Sequence, residues 1–191
     1  MTNRLSHCHL PEDIILCYEP VSFFKEAENR QKSEIHSGSY LIRQVARERL
    51  DARQIDIIAL KYEKPKVYIN GEEFSASFSH TVQGVALAIS GQRIVGCDLE
   101  LENRKVSDLL TSRMRNREEE PSLYENRPAI QIWTLKEAAL KMIGTGLRTP
   151  MNSVCIIEKG DELFNVKFSD GSEANICSFR HRGHWLTVCY Q

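Results

Sequence analysis

A chain of 191 residues is long enough to bury a real core, as one large domain or as two packed halves. Its 25 Lys and Arg against 26 Asp and Glu leave a formal net charge of −1. That balance argues against a nucleic-acid binder, which needs a basic surplus to neutralise phosphates. No apolar run nears the roughly 20 residues that span a bilayer, so no membrane association is expected.

The opening stretch, MTNRLSHCHLPEDI, has no uninterrupted apolar segment of the kind a secretion signal requires, and a cytoplasmic location is expected. His7-Cys8-His9 has no partner at a recognised ligand spacing, so no metal is assigned to it. Residues 13–19 then read as a strand, 21–30 as a short helix and 37–50 as a longer one. Strands follow at 55–63, 75–80 and 84–90. The second half repeats the series: a strand at 94–100, a helix at 106–120 and a longer helix at 129–144. Strands at 153–158, 163–168, 174–179 and 185–190 complete it. Ser90-Gly91, Lys159-Gly160-Asp161 and Asp170-Gly171 supply turns. Cys17, Cys97, Cys155, Cys177 and Cys189 sit inside apolar strand-like runs at irregular spacing. They are expected to be reduced and buried, where a thiol behaves as a small hydrophobe.

Residues echo between the series as well. SFSH at 77–80 answers SFRH at 178–181, and Val21-Ser22 answers Val106-Ser107. The expected fold is α+β, with two similar α/β halves, 1–91 and 92–191. Each would carry a small, mostly antiparallel sheet and a long helix, with the active cleft between them.

In the strand IVGCDLE, side chains alternate, so Val95, Cys97 and Leu99 share one face while Gly96, Asp98 and Glu100 share the other. Asp98 and Glu100 then lie about 7 Å apart at the backbone, and a hard divalent cation is the usual resolution of such paired charge. Solvated carboxylates on an exposed strand face are the plainer alternative. The helix WTLKEAALK sharpens the choice. At 100° per residue, Trp133, Glu137, Leu140, Lys141 and Gly144 fall within an arc of about 100°. An exposed i,i+4 ion pair accounts for Glu137 and Lys141 but not for the bulky Trp133 and Leu140 beside them.

G-x-D-x-E (Gly96, Asp98, Glu100), followed by W-x-x-K-E-x-x-x-K (Trp133, Lys136, Glu137, Lys141), resembles the signature of the 4'-phosphopantetheinyl transferases. Ser79-His80 upstream, Lys64-Pro65 in YEKP and the tail KMIGTGL extend the likeness over residues 20–150. Length and the internal repeat are similar to the larger, two-halved type of that family, an intramolecular pseudo-dimer like the surfactin-synthetase activator. The resemblance implies transfer of the phosphopantetheine arm of coenzyme A to a serine of an apo carrier protein, with release of adenosine 3',5'-bisphosphate. It implies Mg²⁺ held by Asp98, Glu100 and Glu137, with Glu137, or Glu100 through a water, as the base. Lys141 would reach a pyrophosphate oxygen and His80 a phosphate; Ser79 would bind the 3'-phosphate. Lys64 and Pro65 would lie along the adenine and its phosphates. Lys136 touches either cofactor or solvent, and Arg43 matches a helix arginine whose role is cofactor binding or structural. Lys25, Arg30 and Lys32 are further cations for the 3'-phosphate, or a solvated charge run.

Three departures bear on the 3'-phosphate: Ser77 stands where the family often has asparagine, Thr81 where serine is common, and Ser33-Glu34 near a frequent arginine. The expected partner is an acidic apo carrier, acyl or peptidyl, docking on LLTSRMRNR through Leu109, Leu110, Met114, Arg113, Arg115 and Arg117. An ordinary amphipathic surface helix is the alternative reading of that segment. A monomer suffices if both halves complete one cleft. Rival readings are a metal-dependent pyrophosphohydrolase, from the faintly nudix-like RNREEE at 115–120, and a non-catalytic coenzyme A or carrier binder.

Overall fold

The computed structural model describes residues 2–21, 34–58 and 64–191. The short helix expected over 21–30 falls, but for Val21, outside the described residues, as do Lys25, Arg30, Lys32 and positions 59–63 of the expected strand.

Two antiparallel sheets make up the core of the fold. The first contains β1 (Arg4–Leu5), β2 (Ile15–Pro20), β3 (Ile55–Ile58), β4 (Lys66–Ile69), β5 (Glu72–His80) and β6 (Gly84–Ser90), in the order β1-β2-β6-β5-β4-β3. The second contains β7 (Val95–Leu101), β8 (Cys155–Glu158), β9 (Leu163–Lys167), β10 (Glu173–His181) and β11 (His184–Tyr190), in the order β7-β11-β10-β9-β8. Leaving β1 aside, the two orders match strand for strand, in keeping with an α+β protein of two halves.

Helix α1 (Glu34–Arg49) buries Leu41, Ile42, Val45 and Ala46 against the outer face of the first sheet. The i, i+1, i+4, i+5 spacing of these residues makes the apolar stripe that a sheet-packed helix requires. Past it come α2 (Asp108–Met114), α3 (Pro121–Asn126) and α4 (Ala129–Met142). Helix α4 covers the second sheet with Leu135, Ala138, Ala139 and Met142. The inner faces of the two sheets meet through Leu16, Tyr18, Val95, Cys97, Leu99, Phe179, Leu186 and Val188. The layers therefore run helix, sheet, sheet, helix. The six cysteines are free, and all but Cys8 are buried. Among the described residues, no helix is long and apolar enough to cross a membrane.

The expected helix over 106–120 is two helices. Ser107 caps the first by accepting from Leu110 N, and Arg115 leaves the helix in an extended conformation. Pro121 opens the second, where a missing N–H costs nothing. Between them, Asn116 N donates to the Glu119 carboxylate, closing a turn. Strand β4 was not expected from apolar content. Its signal is Asn70-Gly71, both at positive φ, the requirement of a type I′ hairpin turn joining β4 to β5.

Candidate active site

The seam between the sheets is built by a stripe of serines. Strand β5 reads EEFSASFSH, and period two puts Ser75, Ser77 and Ser79 on one face. Strand β7 is an edge strand, so half of its backbone donors lack a ladder partner. Ser75 Oγ accepts from Val95 N at 3.0 Å and Ser77 Oγ from Cys97 N at 2.9 Å. One step further on, Ser79 Oγ donates to Asp98 Oδ1 at 2.9 Å. Side-chain hydroxyls thus replace a ladder, and the third reaches a carboxylate instead of a backbone amide.

On the other side of β7 lies α4. A Cβ on Gly96 would sit 2.0 Å from the Ala138 carbonyl oxygen and 2.5 Å from Met142 N. Only glycine lets the helix approach this closely, and that approach brings Lys141 onto the strand. Lys141 Nζ donates to Asp98 Oδ1 at 2.7 Å and to Ser79 Oγ at 3.0 Å. Burial opposes the charge of Lys141, but Asp98 and Glu137 outweigh it and hold its ammonium above its ordinary pKa.

Asp98 is 3% exposed, and its second oxygen, Oδ2, is buried with no hydrogen-bond partner among the described residues. Glu137, one helical turn before Lys141, is 6% exposed, and its carboxylate hydrogen-bonds to no described residue. Burial and the Asp98 charge push Glu137 up to about 7. Burial and Asp98 also raise Glu100, against the pull of Arg104, whose guanidinium pairs with it. Arg104 in turn lies over the Trp133 ring, 5.0 Å from its centroid. The three carboxylates therefore feel one another, but Glu100 is held by Arg104, and the described residues form no ready metal cage of three or more ligands. Two buried carboxylates with unused oxygen capacity, sharing one lysine, still make a donor set suited to a hard divalent cation.

Beside this cluster a cavity of about 370 Å³ is lined by Lys64, Pro65, Ala76, Ser77 and Phe78 from the first half. Lys141, Gly144, Thr145, Gly146 and Arg148 line it from the second. Lys64 donates to Ser75 Oγ at 2.8 Å and to the Val95 carbonyl, so its ammonium also ties the seam. Burial brings it down to about 8. His80 is exposed at the end of β5, next to Ser79.

Two expected site residues are placed elsewhere. Lys136 is fully buried, 2.5 Å from Glu119, and donates to the carbonyls of Met151 and Val154. It lies neither in solvent nor on the cavity, which corrects its expected contact with cofactor. Glu119 also accepts from Tyr124 Oη and Ile156 N, so the pair pins the 115–128 segment to α4 and β8. Burial drives Lys136 below its ordinary value, and Glu119 partly restores it. Arg43 Nη1 donates to the Ile55 carbonyl at 2.9 Å, away from the cavity lining, which favours its structural role. The sequence reading missed Arg104, Arg148 and the pairing of Glu119 with Lys136, and it quoted the tail KMIGTGL without giving the loop a role. The S-x-S-x-S stripe was a legible signal for the seam, since hydroxyls recurring every second residue in a buried strand need partners.

With this geometry in place, the sequence model of the 4'-phosphopantetheinyl transferase superfamily matches residues 94–189. The match covers the second sheet, α4 and all three carboxylates. The chain belongs to that superfamily, whose members move phosphopantetheine from coenzyme A to carrier proteins and are generally metal-dependent. A search of curated proteins returned no match.

Proposed function

We propose that this protein transfers the 4'-phosphopantetheine arm of coenzyme A to a serine hydroxyl of an apo acyl or peptidyl carrier protein, releasing adenosine 3',5'-bisphosphate in an Mg²⁺-dependent reaction. The observation that carries this reading is the unpartnered Asp98 Oδ2 beside the buried Glu137, with Lys141 one turn on.

Attack on a pyrophosphate is limited by negative charge and by alignment, so positioning and neutralisation supply most of the acceleration. A bound Mg²⁺ would be held by Asp98 and Glu137, with Glu100 joining on release from Arg104, and supplies charge neutralisation at the pyrophosphate. Lys141 adds a compact positive charge at the same place. Ser79 holds Asp98 and Lys141 in register, and His80 donates to a phosphate at the cleft mouth. Glu137, or Glu100 acting through a water, is the candidate base for the serine proton.

The carrier docks on α2 and the turn after it. Leu109 is 61% exposed there, and Arg113, Arg115 and Arg117 are exposed around it. Met114 and Leu110 belong to the core cluster instead, so the docking set is smaller than the sequence suggested. Basic residues rimming one apolar residue fit an acidic helix face and would steer encounter. Both halves contribute to a single cleft, so a monomer of pseudo-dimeric type is sufficient. The hydrolase reading loses its helix: 115–120 is a turn whose Glu119 is spent on Lys136.

The test is intact-protein mass after incubation with Mg²⁺, coenzyme A and a panel of apo carriers. A carrier heavier by one phosphopantetheine is expected. Coenzyme A cleaved without any carrier would favour hydrolysis instead.

A further inference from the structure

The cavity beside the carboxylates carries three cations and, among the described residues, no acid in its lining. Two of the three are already committed. Lys141 is paired with Asp98, and Lys64 is spent on Ser75 and the Val95 carbonyl. Arg148 differs. Its Nε donates to the Thr145 carbonyl at 3.1 Å and its Nη2 to the Gly144 carbonyl at 3.1 Å, with no described carboxylate paired to it. These two bonds fold the guanidinium back along its own loop, fixing a planar cation at the cavity edge.

The rest of the lining is apolar or small: Pro65, Ala76, Phe78, Gly144 and Gly146. Gly144 and Gly146 both have positive φ, so the loop takes a path that side-chain-bearing residues rarely adopt. Thr145 Oγ1, in the same loop, is buried with no hydrogen-bond partner among the described residues. An apolar slot edged by a fixed guanidinium and one unspent hydroxyl suits a planar heteroaromatic ring better than a phosphate, which asks for several convergent donors.

We propose that Arg148 and Thr145 are base-specificity residues: Arg148 stacks on the purine of the coenzyme A nucleotide, and Thr145 hydrogen-bonds its edge. The proposal rests on the coenzyme A reading given above and adds to it which residues discriminate the base. Loop 144–148 thereby faces the base while Lys141, at the end of α4, serves the pyrophosphate. One short segment reads both ends of the nucleotide.

Binding of adenosine 3',5'-bisphosphate and uridine 3',5'-bisphosphate, measured by calorimetry, separates the possibilities. Wild type should prefer the adenosine form. Arg148→Ala should weaken that form about tenfold, the scale of a desolvated cation–π contact, and leave the uridine form within about twofold. Arg148→Lys should recover little, because an ammonium cannot stack as a plane. The isosteric Thr145→Val should weaken the adenosine form alone, with an unchanged melting temperature. Equal weakening of both nucleotides with rescue by lysine would make Arg148 a phosphate ligand and overturn the proposal, as would no change in either. Binding of neither nucleotide to wild type would instead bring down the coenzyme A reading itself.

Discussion

The two halves share a scaffold and differ in what they do at one place. Cys17 in β2 stands opposite Leu87, the fourth residue of β6, and Asp98 in β7 stands opposite Thr187, the fourth residue of β11. By the same register Glu19 corresponds to Glu100, and Ile15 to Gly96. The helices align too: Tyr40, Arg43, Gln44 and Glu48 in α1 take the spacing of Trp133, Lys136, Glu137 and Lys141 in α4. In the second half this frame holds two carboxylates with spare capacity and a lysine. In the first it holds a buried thiol pushed up to about 11, a glutamine and a reversed charge. Strand β1 then covers the β2 edge, Glu19 accepts from Asn3 N and Nδ2, and Glu48 accepts from Thr2. One cleft is open and charged; its counterpart is stitched shut. The comparison also explains Lys136. Arg43 and Lys136 each donate to a carbonyl at the start of the following strand, Ile55 and Val154 respectively, so both anchor a helix to the next strand.

The largest expected effect breaks the asymmetry at its centre. Glu137→Gln should lower carrier modification by about a thousandfold or more if Glu137 serves, as proposed, as cation ligand and candidate base. Gln44→Ala, at the matching place in α1, should leave the rate within about twofold. Stability should move the other way. Glu137 holds its proton up to about 7 in the fold, against an ordinary 4.5, so without a bound cation stability falls as pH rises between those values. The glutamine variant escapes that loss, and it should melt higher than wild type at pH 8 in chelator, as scanning calorimetry would show.

Lys136→Met should come next. It leaves Glu119 buried and unpaired, at a cost of about 3–5 kcal/mol in denaturant unfolding, while the KM for coenzyme A of the folded protein stays put. Adding Glu119→Gln should recover part of the loss. A raised KM with full stability would return Lys136 to the cofactor. Gly96→Ala should cost about 1–3 kcal/mol and more in rate, because α4 must retreat from β7. At the matching position, Ile15 is already a large side chain, and Ile15→Val should cost only about 1 kcal/mol, with no change in rate. Ser79→Ala is the mildest: a loss of about tenfold in rate with intact Lys141–Asp98 pairing, read by steady-state kinetics.

Much of this was legible in the sequence. Alternation in IVGCDLE placed Asp98 and Glu100 on the face opposite Cys97, and helical spacing put Glu137 and Lys141 on a half-buried stripe with Trp133. What escaped was set by partners distant in the chain. Nothing near Lys136 foretells Glu119, 17 residues away across a break that Pro121 enforces. Nothing in LENRK shows that Arg104 will hold Glu100 while resting on Trp133. Local periodicity reports the face a side chain takes; it does not report which charge waits there.

The cation site is best tested by electron paramagnetic resonance titration of Mn²⁺ into the protein with coenzyme A present. One bound Mn²⁺ is expected in wild type and in Glu19→Gln, and none in Asp98→Asn or Glu137→Gln. Undiminished Mn²⁺ binding in both of the latter variants, or its loss in Glu19→Gln, would contradict the placement of the site between β7 and α4.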